Sequence, residues 1–219
     1  MIELLVKACL AYLLGSLVGS LLIGRLRGGV DIRSLGSGNA GATNALRTQG
    51  KAVAFWVLLI DLAKGVVATR LIAPAALPGI APAAEPALHE WCVTVCALAV
   101  MLGHIYPIWF GLRGGKGVAT LVGAVLGADP WLLVPMVLTW LAAVVLFGFV
   151  GLASMLATAA LAVTIALGGS SPRLPLLGFA VLAAALILYT HRSNIARMRA
   201  GTESRARRLW LFGARRGPA

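Results

Sequence analysis

Residues 131–147 read WLLVPMVLTWLAAVVLF, seventeen positions without a single charge. A hydrocarbon core asks for roughly 20 helical residues per crossing, and so long an uncharged aliphatic run belongs in one. The pattern repeats outward on both sides. Downstream lie Leu152 to Leu167 and Leu174 to Tyr189, and upstream Ile2 to Ile23, Ala52 to Ala73, Glu90 to Phe110 and a short run from Val118 to Ala128. Counting the short run gives seven spans. About a dozen residues are too few for an untilted crossing, so a half-helix there, paired with a second weak segment, would leave five.

Composition agrees. Of 219 residues 60% are hydrophobic and 12% charged, with a mean hydropathy of +0.93, far from the average of water-soluble chains. One domain is expected over 1–219: an all-α, polytopic membrane helix bundle with a basic tail from about residue 192. Loop charge orients it. The connector from Gly24 to Lys51 holds Arg25, Arg27, Arg33, Arg47 and Lys51 against Asp31, whereas Pro74 to Glu90 holds Glu85 and Glu90 without Lys or Arg. Arg113 and Lys116 mark the next basic connector, the Asp129 turn has none, and the tail after Tyr189 is strongly basic; only Arg173 dissents. Positive loops stay in the cytoplasm, which places the amino terminus outside and the carboxyl terminus inside.

The formal net charge of +12 would fit nucleic-acid binding, but its confinement to connectors and tail excludes that class. Cys9, Cys92 and Cys96 sit in apolar runs and read as small buried hydrophobes. The first apolar run has no small-residue cleavage site before Arg25 and reads as a retained helix. Within it Gly15 with Gly19, and Ser16 with Ser20, form small-xxx-small pairs that allow close helix packing. Asp61 and Lys64, three apart in the second span, share a helix face and serve either as a structural brace or as a wall of a site.

Three segments break the aliphatic monotony, all on the expected cytoplasmic face. In the first, residues 35–47, Gly36, Gly38 and Gly41 are interspersed with Ser37, Asn39, Thr43 and Asn44 and followed by Arg47. Side-chain-free backbone N–H groups curl around anions, small polar groups add donors, and an arginine fixes the anion bidentately. In the second, Arg113-Gly114-Gly115-Lys116-Gly117 precedes a helical run whose amino-terminal end adds partial positive charge. A Walker loop is excluded, because Phe110 stands where the first glycine belongs and Gly117 follows the lysine. His104 lies near the end of the preceding apolar run, as fit for a hydrogen-bonded structural role as for catalysis. In the third, His191 and Asn194 are spaced i, i+3 and project from one helical face, a titratable base beside a neutral donor, able to hold and activate a hydroxyl. Two anion cradles and a His/Asn pair point to a reaction between two phosphorylated molecules at a membrane surface. A phosphate-ester transporter is the competing class, but no inverted repeat is visible and the polar motifs gather at one surface instead of the midplane.

Taken together, SGNxGATNxxR from Ser37, GHxxPxxxxxxGGKGVAT from Gly103 and HRxNIxRxxxGTE from His191 resemble the acyl-phosphate:glycerol-3-phosphate acyltransferase family of bacterial membrane enzymes. The resemblance implies a seven-helix fold in the cell's inner membrane with its site facing the cytoplasm. It implies transfer of a fatty acyl chain from acyl phosphate to the 1-hydroxyl of sn-glycerol 3-phosphate, giving lysophosphatidic acid and inorganic phosphate, an early step of phospholipid biosynthesis. By motif, Ser37, Gly38, Asn39, Gly41, Thr43, Asn44 and Arg47 would bind phosphate, and Lys116 on its Gly114-Gly115 turn would clamp one. His191 and Asn194 would hold the glycerol phosphate with Ser154 nearby, while Lys64, His104 and Glu203 join the substrate-binding set. Departures are Ala40, Tyr106, Arg113 and Ser193, none a proposed catalytic group. An acyl phosphate is already activated, so no metal or nucleotide cofactor is expected. The partners implied are the two substrates and membrane lipid. The oligomeric state stays open, with a monomer sufficing.

Overall fold

A helix that breaks inside a membrane strands its backbone N–H and C=O groups, and something must satisfy them. The first apolar run poses that problem. Instead of the single helix expected from Ile2 to Ile23, it forms α1 (Ile2–Gly15) and α2 (Gly19–Leu26), bent by 47°. The remedy comes from α4 (Lys51–Val67). Lys64 Nζ donates to the carbonyls of Gly15 at 2.8 Å and Leu17 at 3.1 Å, and Asp61 Oδ1 accepts the Gly19 N–H at 3.1 Å. The broken ends are thus capped by an ion pair borrowed from the neighbouring helix.

The computed structural model describes residues 1–78, 86–168, 174–207 and 209–213, with backbone alone for 86–89. Glu85, Arg173, Arg208, Arg215 and Arg216, which entered the loop-charge pattern, lie outside the described residues. The other helices are α3 (Ala42–Thr48), α5 (Pro86–Ile105), α6 (Val118–Ala128), α7 (Leu133–Phe147), α8 (Val150–Leu167), α9 (Leu174–Thr190) and α10 (Arg192–Arg199). Among the described residues there is no strand. Among the described residues four helical segments are long and apolar enough to cross a membrane, Lys51–Ile72, Glu90–Phe110, Pro130–Phe147 and Val150–Leu167, and the bent pairs α1–α2 and α9–α10 raise the number to as many as six. Val118–Ala128 remains a shorter apolar helix. Cys92 and Cys96 are buried as expected, but Cys9 is exposed on the outside of α1.

The chain divides into two compact units, Met1–Pro130 and Trp131–Ala219. In the first, α1 packs on α5 and α4 on α6, each through glycines. A Cβ on Gly15 would run into the backbone of Val100, and one on Gly103 would meet Ser16 N at 2.9 Å; Gly65 faces Ala124 N and Gly123 the backbone of Leu62 in the same way. Small residues let helix backbones touch where lipid supplies no hydrophobic drive. In the second unit, α8 packs between α7 and α9, and the outer surface of α7 is apolar, with Leu138 62% exposed. Such a face suits lipid and would not suit water.

Candidate active site

The first loop is held in shape by Asn44, which is 1% exposed. Its Oδ1 accepts the Ser37 N–H at 2.9 Å, and its Nδ2 donates to the carbonyls of Leu35 at 2.9 Å and Ile32 at 3.3 Å. Asn44 is therefore an internal strut of the loop. Around it the chain turns at Gly36 (φ 56°) and Gly38 (φ 72°), a left-handed conformation that glycine adopts freely. The turns leave Ser37, Gly38, Thr43 and Arg47 exposed and Asn39 half-buried, with Gly41 starting α3.

The Gly114–Gly115 turn is hydrogen-bonded onto the end of α5, Gly114 N–H to Ile105 O at 3.0 Å and Gly115 N–H to His104 O at 3.1 Å. Both glycines are required: a Cβ on Gly114 would strike the His104 carbonyl, and one on Gly115 would strike His104 Nε2 and come within 2.9 Å of Ala40 O. The second cradle thus lies against the first at Ala40, with the His104 ring behind it. Lys116 follows, half-buried, and Gly117 (φ 88°) opens α6.

His104 belongs to the same buried node that caps the broken helix. Its Nδ1 lies 2.8 Å from Lys64 Nζ and 3.4 Å from Asp61 Oδ1, and Lys64 Nζ is 3.1 Å from that oxygen. Because the ammonium only donates, Nδ1 is the acceptor and Nε2 carries the proton on the side facing Gly115. All three side chains are at most 3% exposed. Lys64 braces the broken helix, and His104 backs the Gly114–Gly115 turn.

Arg33 was counted in the sequence only as loop charge, yet it joins the two glycine segments. Its Nη1 donates to Phe110 O and Arg113 O, both at 2.8 Å, while Nε and Nη2 grip Asp31 at 2.8 to 3.1 Å. The guanidinium holds the Asp31 carboxyl below its ordinary range, and the carboxylate in turn raises Arg33. The residues between the two carbonyls turn through Gly111 (φ 66°) and Leu112 (φ 57°), a left-handed step that is uncommon for a leucine.

The second unit carries a cluster of its own where α9 bends by 52° into α10. His191 stands at the bend, 4% exposed, with Nδ1 2.8 Å from the Ile187 carbonyl. A carbonyl only accepts, so Nδ1 bears the proton and Nε2 is the ring's basic nitrogen. Asn194 packs against Gly151, where an added Cβ would meet its Nδ2 at 3.0 Å. Asn194 Nδ2 donates to Glu203 Oε1 at 2.7 Å, and Arg197 Nε donates to Glu203 Oε2 at 2.6 Å. Arg197 was legible only as a motif letter; its role is to complete Glu203's hold on Asn194. Ser154 is buried, and its hydroxyl donates to Val150 O at 3.0 Å. No three His, Cys, Asp or Glu side chains come together as a metal site among the described residues.

Apolar spans whose polar ends carry paired glycine cradles, exposed cations and a buried His/Asn/Glu cluster define a helical integral membrane protein built to handle phosphate-bearing molecules. Comparison narrows the class. The family model for glycerol-3-phosphate acyltransferase matches residues 5–201, and the chain belongs to that family. It is 42% identical over 200 residues to the glycerol-3-phosphate acyltransferase of Bordetella pertussis, covering 90% of this chain and 88% of that one. It is 41% identical over 208 residues to that of Thiobacillus denitrificans, covering 94% and 98%. Among solved structures it resembles PlsY (YgiH), an integral membrane glycerol 3-phosphate acyltransferase, in its glycerol 3-phosphate form, with a TM-score of 0.80 and 36% identity over 92% of this chain and 94% of that one. The lysophosphatidic acid form of the same enzyme matches with a TM-score of 0.78.

Proposed function

We propose that this chain transfers a fatty acyl group from an acyl phosphate to the 1-hydroxyl of sn-glycerol 3-phosphate at the cytoplasmic face of a bacterial inner membrane, releasing lysophosphatidic acid and inorganic phosphate. The observation that carries the reading is the pair of glycine cradles pinned together by Arg33, in a chain whose family match runs from 5 to 201 through both units. That span also supports treating 1–219 as one catalytic domain, and the loop charges support seven crossings, with Val118–Ala128 as a short one and the amino terminus outside.

Transfer needs the hydroxyl oxygen to bond to the acyl carbon while the carbon–phosphate oxygen bond breaks. The acyl group is already activated, so alignment and charge stabilisation are the protein's main tasks. Two dianions brought together repel by about 1 kcal/mol per unit-charge pair at 4 Å even in water, and by more where water is scarce. Arg47 and Lys116 answer that repulsion, with Ser37, Gly38, Asn39, Gly41 and Thr43 supplying backbone and side-chain donors to phosphate. In the second unit, Asn194, oriented by Glu203, holds the glycerol phosphate, and His191 Nε2 takes the hydroxyl proton and passes it to the departing phosphate. No step calls for a metal or nucleotide.

Purified protein given acyl phosphate and glycerol 3-phosphate should release inorganic phosphate in step with lysophosphatidic acid, and Lys116→Ala should lower the rate by at least about a hundredfold, the usual loss for one group stabilising developing charge. Folded wild-type protein that releases no phosphate overturns the reading.

A further inference from the structure

The family match ends at residue 201, but ordered chain continues and folds back on its own unit. Residues 202–207 and 209–213 return to the two-residue turn that joins α7 to α8. Ala206 N–H donates to Gly148 O at 2.8 Å, Leu211 N–H to Val145 O at 2.9 Å, and Trp210 Nε1 to Leu146 O at 3.3 Å. The last two bonds satisfy carbonyls at the carboxyl end of α7, which lack partners within their own helix. Arg205 is held between two rings, 4.5 Å from the centroid of Phe149 and 4.0 Å from that of Trp210. A Cβ on Gly148 would lie 2.9 Å from Trp210 Cγ, so the indole fits only over a glycine.

The clamp has two faces. Inward it is spent on Gly148, Leu146 and Phe149. Outward it presents Leu209 at 54%, Leu211 at 60% and Phe212 at 49% exposure, beside the exposed Arg205 and Arg207. This surface adjoins the lipid-exposed end of α7, where Val145, Leu146 and Phe147 are also exposed. The Pro130–Phe147 span of 18 residues is about 27 Å long at 1.5 Å per residue, close to the thickness of a hydrocarbon core, so its final turn ends at the bilayer interface. Apolar and aromatic side chains at that depth sit at the acyl boundary while arginines reach the headgroups. The one carboxylate in 202–213 is Glu203, already engaged by Asn194 and Arg197, so the outward charge is positive.

We infer that residues 202–207 and 209–213 form a membrane-surface clamp that docks on anionic lipid headgroups, inserting Leu209, Leu211 and Phe212 at the interface. It goes beyond the acyltransfer reaction and holds whether or not that reading of the site does. Trypsin tests it at Arg205 and Arg207 on the full chain in nanodiscs, which leave both faces accessible. One set is made of phosphatidylcholine and one contains added phosphatidylglycerol, with cleavage mapped by mass spectrometry. At about 1 kcal/mol for each of the two arginines near an anionic surface, cleavage should be roughly thirtyfold slower in the anionic discs, and high salt should erase the difference. A Leu209→Ser, Leu211→Ser, Phe212→Ser variant keeps the inward bonds and should lose most of the protection. Equal cleavage in the two discs, or full protection retained by the triple variant, overturns the proposal.

Discussion

Replacing Asp61 with Asn removes a charge and almost nothing else. The side chain keeps its size, and its remaining oxygen still accepts the Gly19 N–H, so what is lost is the attraction to Lys64 at 3.1 Å. At an effective dielectric of about 20 a unit pair at that separation is worth about 5 kcal/mol, and removing one partner of a buried pair costs about 3–5 kcal/mol. Both groups are at most 3% exposed, so little discount for solvent applies. Lys64→Met alone should be nearly as damaging, since it strands the Gly15 and Leu17 carbonyls at about 1–3 kcal/mol each. The double variant strands the carbonyls but leaves no unpaired charge, so the two losses should fall short of additivity by at least about 2 kcal/mol. Reversible unfolding by SDS titration in mixed micelles measures all four corners of the cycle. An Asp61→Asn loss under about 1 kcal/mol with no coupling would refute the idea that this pair caps the helix break. Kinetics on the folded fraction separate brace from wall: KM for glycerol 3-phosphate should stay within about threefold in the double variant if Lys64 is a brace alone, and a rise beyond about tenfold would make it a wall of the site as well.

Arg33→Ala should lower kcat/KM by about 10–100-fold by freeing the 113–117 turn, and Arg33→Lys should rescue little, because one ammonium cannot span two carbonyls and a carboxylate; wild-type kinetics in Arg33→Ala would separate the turn's position from the reaction. Asp31 is depressed from its ordinary 3.8. Its contribution is therefore fully present above that value and lost as pH falls through the lower native one. Hydrogen exchange of residues 31–35, corrected for intrinsic rate, should be flat from about pH 8 to 5 and rise only below about 4, a step that Asp31→Asn should abolish. Glu203→Gln puts an amide where Asn194 and Arg197 both donate; charge-assisted bonds are worth about 1.5–3 kcal/mol, discounted here because Arg197 is 35% exposed, so steady-state kinetics should show a fall of about tenfold with the fold intact. Gly115→Ala should displace the His104 ring or the turn and cut activity by at least about tenfold, and unchanged kinetics would show that the two cradles need not touch.

What the sequence disclosed and what it hid divide along one physical line. Apolarity is local, so Glu90–Phe110 and the span ending at Phe147 were legible almost to the residue, and so was the presence of two glycine cradles. The break in the first helix was not, because Ile2 to Ile23 carries no proline and its glycines read equally well as packing surface. The break is tolerable only because Lys64 and Asp61, more than forty positions away, meet the stranded groups. The bonds made by Asn44, Ser154, Lys64 and His104 were hidden for a related reason. Residue type gives hydrogen-bonding capacity, but only the fold shows how that capacity is spent, and in these four the bonds run to backbone or to one another. The same accounting exposed Arg33, in sequence indistinguishable from orienting loop charge, and Arg197, in sequence no more than a motif letter. A basic residue at a membrane edge is thus ambiguous until its donors are traced. Besides Arg47, proposed to meet phosphate directly, the arginines whose donors run to carbonyls of another loop or to a buried carboxylate are the ones whose loss should alter the reaction.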